Sequence, residues 1–206
     1  MTSRSGNDNT FAVIGAGMSG VLAGIKLMEA GYPFQIFEKA DRVGGTWREN
    51  TYPGIACDVP SHIYSYSFEL NPDWSEFTSP GSEVQEYFER VSKRYGVDSH
   101  IRFNEAVTRC TWMGDRWEIE TEKGNVEHFR WVIAATGILH HPKYPEIEGL
   151  DDFEGPMFHT ARWDHDVSIE GKKIGLIGTG SSGVQITCLL YTSPSPRDRT
   201  RSRMPS

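Results

Sequence analysis

The 206 residues carry 28 acidic and 21 basic side chains, a formal net charge of −7 with histidines neutral, and are 37% hydrophobic and 12% aromatic. That acidity argues against nucleic acid as the main partner, and the hydrophobic fraction is what a packed globular core needs. No apolar run approaches the ~20 residues of a membrane helix and the N-terminus lacks a signal-peptide pattern, so a cytoplasmic protein with no membrane partner is expected.

Residues 1–10 are polar and are expected to form a flexible N-terminus. Phe11-Ala12-Val13-Ile14 is then a short apolar run of the kind that forms a buried parallel strand. It enters Gly15-Ala16-Gly17-Met18-Ser19-Gly20, a G-x-G-x-x-G turn, followed by apolar residues at helical spacing up to a stop at Gly31. A second apolar run, Phe34 to Phe37, ends in the acid Glu38. In such a unit the first glycine allows the tight turn, the second lets backbone approach a pyrophosphate, and the third lets helix and strand pack closely. The helix N-terminus favours phosphate, and the acid at the end of the second strand can accept hydrogen bonds from a ribose diol. Strand, glycines, helix, strand and acid in that order predict a dinucleotide site.

Asp41 to Asp58 is rich in glycine and proline, and an irregular loop carrying Trp47, Tyr52 and Asp58 is expected there. Cys57 has no partner nearby, which disfavours a dithiol reductase mechanism. Ser61 to Phe68 reads as either a strand or an aromatic-rich loop. Ser82 to Tyr95 is a helix with Val84, Tyr87, Phe88, Val91 and Tyr95 on one face. Ile101-Arg-Phe, Ala106–Met113, Arg116–Glu122 and Glu127–Ala134 read as four strands, with tight turns at Gly114-Asp115 and Lys123-Gly124-Asn125. A small antiparallel meander followed by the apolar run Trp131 to Ala135 suits an insertion in a doubly wound domain, with Cys110 in the core of the meander and Thr136-Gly137 closing the final strand over the nucleotide site. His140 and His141 stand beside no completing acid or thiol, so no metal is expected; Cys57, Cys110 and Cys188 form neither a disulfide framework nor a zinc set.

Lys172 to Ile177 reads as another apolar strand, leading into Gly178-Thr179-Gly180-Ser181-Ser182-Gly183 and a helix beginning at Val184. Two strand–glycine–helix turns in one chain imply two dinucleotides and a redox pair. Beyond Thr187 the composition changes: four arginines stand against one aspartate among Ser and Pro in residues 188–206. Cys188 to Asp198 resembles the translation of a sequencing-library adapter, so 188–206 is expected to be a non-native tail.

Between the two turns, Phe153-Glu-Gly155-Pro-Met-Phe-His159-Thr-Ala-Arg-Trp163 resembles the F-x-G-x-x-x-H-x-x-x-W fingerprint of class I Baeyer–Villiger monooxygenases. Gly44-Gly45-Thr46-Trp47 through Tyr52-Pro53-Gly54 to Asp58 is similar to a second signature of that family. The resemblance covers about residues 10–187. It implies an α/β protein: a doubly wound FAD-binding domain with a meander insertion (11–150), a linker with the fingerprint (151–170), and the truncated start of an NADP-binding domain (171–187). It further implies that Gly15, Gly17, Ser19 and Gly20 hold the FAD pyrophosphate, with Glu38 on the adenosine ribose. Gly45, Thr46, Trp47, Asp58 and Tyr64 would line the flavin, and the Val107 backbone would meet the adenine. Gly178, Gly180, Ser181, Ser182 and Gly183 would cradle the NADPH phosphates, with Phe153, Gly155, His159 and Trp163 on the coupling linker. Asp58 is the one catalytic candidate, resembling the family acid that pairs with an arginine not matched in this chain. The implied reaction is insertion of one oxygen atom of O2 beside the carbonyl of a small ketone, giving an ester or lactone, with the fragment itself expected to be inactive. The alternatives are an N- or S-oxidising flavin monooxygenase, a reductase that never activates oxygen, and a non-catalytic nucleotide-binding fragment.

Overall fold

Four parallel strands carry the first half of the computed structural model, which describes residues 10–138 and 141–192. The expectations for residues 1–9, His140 and 193–206 lie outside the described residues. The chain divides into two compact units, one of residues up to 49 with 82 to 140, the other of 50–81 with 141 onward.

In the first unit the strands β1 (Phe11–Ile14), β2 (Phe34–Phe37), β3 (Ile101–Arg102) and β7 (Trp131–Ala134) form a sheet in the order β3-β2-β1-β7. Chain order runs outward from β1 through β2 to β3, then returns to the other side of β1. The C-terminal end of β1 is therefore the topological switch point, where open α/β sheets bind their ligands. The first glycine turn occupies that end.

The two faces of the sheet are covered differently, as the strand alternation dictates. On one side Phe34 and Ile36 meet helix α1 (Met18–Glu29) at Gly24, where an added Cβ would lie 3.0 Å from Ile36 and 2.7 Å from Val97. On the other, Ala12 and Phe37 form a buried cluster with Ile119 and Phe129, flanked by Val107, Trp117 and Val132. Ile119 and Phe129 belong to the antiparallel meander β4 (Val107–Trp112), β5 (Trp117–Thr121) and β6 (Val126–Phe129). The Phe37 and Phe129 rings meet edge to face at 5.8 Å, a geometry that contributes about 0.5–1.5 kcal/mol beyond area burial. α1 ends in a Schellman motif: Gly31 at φ 72° donates to Met28 O and Tyr32 to Leu27 O, each at 3.0 Å. Helix α3 (Gly81–Arg94) buries the expected stripe of Val84, Tyr87, Phe88 and Val91.

Several expectations are corrected. Glu127–Ala134 is not one strand. It breaks at Arg130 into β6 of the meander and β7 of the parallel sheet, where the N–H groups of Arg130 and Trp131 both donate to Thr10 O. A stretch without glycine or proline hides a change of sheet. Cys110 is exposed rather than in the core, because β4 is the edge strand of the meander and only its Val107 end reaches the cluster. Ile101–Arg102 pairs with β2, outside the meander.

A polar knot ties the meander to the sheet. Glu105 is buried and accepts from Asn125 Nδ2 at 2.9 Å and Thr121 Oγ1 at 3.2 Å. Arg102 Nη1 stands 3.9 Å and Lys123 Nζ 4.0 Å away. The Asn125 bond, then that from Thr121 and the two cations, hold the Glu105 carboxyl below the usual carboxylate range against the opposing effect of burial. A carboxylate whose folded pKa is depressed contributes stability that is present above its unfolded pKa, about 4.3, and is lost as pH falls through the folded value. Urea unfolding of wild type and Glu105→Gln should therefore differ at pH 7, and the difference should shrink below about pH 4. An equal gap across that range would remove the ionised carboxylate from the account.

The second unit is mostly loop. Residues 55–57 pair with 79–81 through Cys57 N to Ser79 O at 2.9 Å, Gly81 N to Ile55 O at 2.9 Å and an Ala56–Pro80 bridge. Ser61–Ile63 is a single 3-10 turn, so the 61–68 segment is the aromatic-rich loop and not a strand. Lys172–Ile177 pairs with no strand among the described residues, contrary to expectation; Ile174 and Ile177 are exposed, and an apolar run becomes a strand only where a neighbour completes its ladder. Helix α4 (Ser181–Thr192) starts three residues earlier than predicted. No helix among the described residues is long and apolar enough to cross a membrane.

Candidate functional site

The first glycine turn is built by close backbone contacts that side chains would prevent. Gly15 leaves β1 at φ 100°, its N–H on Phe37 O at 2.8 Å, and a Cβ there would lie 2.5 Å from Ala135 O. Ala135 precedes Thr136-Gly137, so the segment after β7 does lie against the turn. A Cβ on Gly20 would lie 1.9 Å from Gly15 O, which shows how closely α1 packs on the strand end. Gly17 caps α1 without a side-chain bond, and no acid occupies the first helical turn. Ser19 is exposed on that turn.

A second glycine pair meets the first. Gly44 N donates to Ala16 O at 3.1 Å, and a Cβ on Gly45 would stand 3.1 Å from Gly17 Cα. Gly44 is held from behind by Gln85, whose Nε2 donates to Val43 O at 2.7 Å. From this pair springs a one-turn helix, α2 (Thr46–Glu49), where an irregular loop was expected; Trp47 N donates to Gly44 O, and Arg48 and Glu49 donate to Gly45 O. The turn thus carries Gly45, Thr46 and Trp47 beside Gly17. Arg48 bonds Asp41 Oδ1 at 2.7 Å through Nη2, and this guanidinium holds the Asp41 carboxyl below its ordinary range.

Glu38 lies at the end of β2, buried, and its carboxylate is turned onto the glycine turn itself. Oε2 accepts from Ala16 N at 2.5 Å and Oε1 from Ala40 N at 2.9 Å. Each oxygen keeps a second lone pair for a hydroxyl donor. Its backbone is fixed on both sides, N–H to Arg102 O and C=O from Glu105 N. Val107 begins β4 at a register shift, half-buried against the Phe37 cluster. A bulge of that kind releases backbone groups from the ladder. The first turn, Glu38 and the 44–47 segment are thus brought together at the C-terminal end of β1.

In the second unit, Gly178 and Gly183 repeat the packing of Gly15 and Gly20. Gly178 has φ 121°, a Cβ on Gly183 would lie 2.7 Å from Gly178 O, and α4 has no acid in its first turn. Val184 N donates to Gly180 O at 3.0 Å, as Val21 N does to Gly17 O. Ser181 and Ser182 open the helix. Asp58 is exposed and follows Cys57, which is buried; burial pushes the Cys57 thiol up, so a thiolate is disfavoured there. Tyr64 is half-buried beyond the 3-10 turn.

The Phe153–Trp163 fingerprint is a run of local contacts. The exposed Phe153 ring covers Gly155, where a Cβ would meet it at 2.7 Å. His159 caps the 3-10 turn Thr160–Arg162 by accepting from Ala161 N at Nδ1, 3.1 Å, and its own N–H donates to Tyr144 Oη at 3.1 Å. Trp163 meets Phe158 edge to face at 5.1 Å. Tyr144 and Gln185 were not read from the sequence as functional, and Tyr52 was read in its loop and signature but not as a partner of Gln185. Tyr144 supports His159, while Tyr52 and Gln185 bond each other across 133 positions. Only their places, beside Pro53-Gly54 and two residues after Gly183, were a signal.

Residues 8–194 match the family model of flavin-binding monooxygenase-like proteins. A Baeyer–Villiger monooxygenase of Streptomyces coelicolor is 47% identical over 178 residues, 85% of this chain and 34% of that protein. A cyclohexanone-bound crystal structure of cyclohexanone monooxygenase superposes with a TM-score of 0.79 at 37% identity, over 89% of this chain and 37% of the other. The structure of OTEMO in complex with FAD and NADP does so with a TM-score of 0.76 at 35% identity, over 88% of this chain and 36% of that one. The chain spans about a third of the length of the curated relatives it matches.

Proposed function

The chain belongs to the flavin-binding monooxygenase-like family, and from that premise we propose that it is the nucleotide-binding part of a Baeyer–Villiger monooxygenase. Its cofactors are FAD on the first glycine turn and NADPH on the second; its substrates are a small ketone and O2, and its product an ester or lactone. The observation that carries this reading is the pair of glycine turns with the same internal packing in one chain, Gly20 on Gly15 O and Gly183 on Gly178 O. Two such turns fit an electron donor and an electron acceptor. The similarity to a Baeyer–Villiger monooxygenase and to a ketone-bound structure favours ketone oxidation over oxidation of amines or sulfides.

FAD bound there would supply the redox chemistry that couples NADPH to O2. The chain's own residues hold and orient. Gly15, Gly17, Ser19 and Gly20 take the FAD pyrophosphate, Glu38 accepts from the ribose hydroxyls, and the Val107 backbone meets the adenine. Gly45, Thr46, Trp47 and Tyr64 flank the flavin ring. Gly178, Gly180, Ser181, Ser182 and Gly183 take the NADPH phosphates. Asp58 supplies a carboxylate near the reacting ring, and Phe153, Gly155, His159 and Trp163 set the linker that carries the second turn.

The test is a chimera in which the matching segment of the Streptomyces relative is replaced by residues 10–187. FAD content on purification reports whether the segment folds and binds. Lactone formed from cyclohexanone at the expense of NADPH is expected; N- or S-oxides alone would move the protein to the heteroatom-oxidising branch. FAD retention without any oxygenated product would leave a nucleotide-binding module only.

A further inference from the structure

The Asp58 loop and helix α4 are joined by a set of contacts along one helical face. Tyr52, 4% exposed, directs its hydroxyl to Gln185 Oε1 at 2.8 Å and reaches Ser182 Oγ at 3.3 Å. Gln185 in turn holds both backbone groups of Ala56: Nε2 donates to Ala56 O at 2.9 Å, and Ala56 N reaches Oε1 at 3.4 Å. Ser182 and Gln185 fall at i and i+3, so the loop meets one side of α4. Ala56 is two residues before Asp58, and the intervening Cys57 is buried with its N–H on Ser79 O.

We propose that Tyr52 and Gln185 are positioning residues that transmit nucleotide engagement at the second glycine turn to the backbone carrying Asp58. The inference rests on the second turn being a phosphate site, as proposed above. Tyr52 gives its single proton to Gln185 Oε1, the nearer acceptor at 2.8 Å, with Ser182 Oγ at 3.3 Å. A phosphate taken by the N-terminus of α4 orders its first turn, Ser182 and Gln185 included. Gln185, braced by Tyr52, then steadies Ala56 and the step to Asp58. Nothing is transferred but order: the phosphate fixes the first turn of α4, and the same face of α4 fixes the loop. The acid is thereby set in place when the hydride donor is bound.

Hydrogen exchange of the 206-residue chain, with and without NADP+, tests this without any turnover. NADP+ should slow the amides of 178–186 and also those of 55–58. Tyr52→Phe keeps the ring and removes the hydroxyl; it should keep the protection at 178–186 and lose about 3- to 10-fold of that at 55–58, the factor of one net hydrogen bond. Gln185→Glu keeps the acceptor and removes the donor to Ala56 O. The same selective loss is expected, and it serves if the tyrosine variant does not fold. Undiminished protection at 55–58 in both variants, or wild-type protection confined to 178–186, overturns the relay and leaves the nucleotide reading standing. Protection at neither segment overturns the nucleotide reading, and the relay with it.

Discussion

Glu38→Ala should purify without FAD and should unfold at lower urea, with a loss of about 2–5 kcal/mol. The size follows from what the side chain does before any ligand arrives. Its two oxygens take the N–H groups of Ala16, at the heart of the first glycine turn, and of Ala40, both residues being buried. Truncation leaves two backbone donors without acceptors, and each orphan costs about 1–3 kcal/mol. Water entering the space left by the carboxylate would bring the sum to the low end. FAD is lost for a related reason: Ala16 N–H is no longer held by the acid, and the ribose loses its acceptor. Glu38→Gln separates the two effects. The amide keeps one carbonyl oxygen for one of the N–H groups and turns an NH2 toward the other, so roughly half of the stability loss should remain. Wild-type flavin content and an unchanged urea midpoint in Glu38→Ala would sink the assignment of this acid.

Glu38 also shows what could be read in advance. Its position after the second apolar run marked it as a ribose acid, because strand length and glycine spacing are local and survive in sequence. That the carboxylate first closes on Ala16 could not be read: a bond across 22 positions depends on how β2 lies beside β1. The same division runs through the fold. The Schellman end of α1 and the turns at Gly114 and Gly124 follow from residues near in sequence, with φ of 72°, 99° and 78° at Gly31, Gly114 and Gly124. The break at Arg130 does not, since no glycine or proline interrupts Glu127 to Ala134 and only the partner strands differ. Cys110 read as core because its strand does pack a core, but at one end only. Lys172–Ile177 has the composition of a strand and no neighbour among the described residues to make it one. In the second unit Tyr52 was legible as a loop residue, but its bond to Gln185 was not, because Gln185 is an ordinary polar residue until the fold sets the two 2.8 Å apart.

Gly20→Ala tests the packing of the first turn directly, and two forces predict opposite signs. Inside a helix, alanine is favoured over glycine by about 1 kcal/mol. Gly20 lies inside α1, so intrinsic propensity predicts a gain. The added Cβ, however, would stand 1.9 Å from Gly15 O and 2.9 Å from its carbonyl carbon. Both are backbone atoms, and Gly15 is itself pinned by its N–H on Phe37 O and by Ala135 behind it. No side chain can swing aside. The helix must lift off the strand end, exposing the buried Val21 and Ile25, and overpacking of this kind costs up to about 3 kcal/mol. A net loss of up to about 2 kcal/mol is therefore expected, with loss of FAD, since the lifted helix no longer aims its N–H groups at the turn. Gly31→Ala is the contrast: its Cβ meets nothing within 4 Å, so only the left-handed φ of 72° is charged, at about 1 kcal/mol, and FAD should stay bound. Gly183→Ala repeats the clash on the second turn at 2.7 Å and should abolish NADP+ binding while leaving FAD in place. Midpoints from urea unfolding and flavin absorbance after gel filtration decide the matter. A stabilised Gly20→Ala that keeps its flavin would mean that α1 does not sit on Gly15 and that the first turn is built some other way.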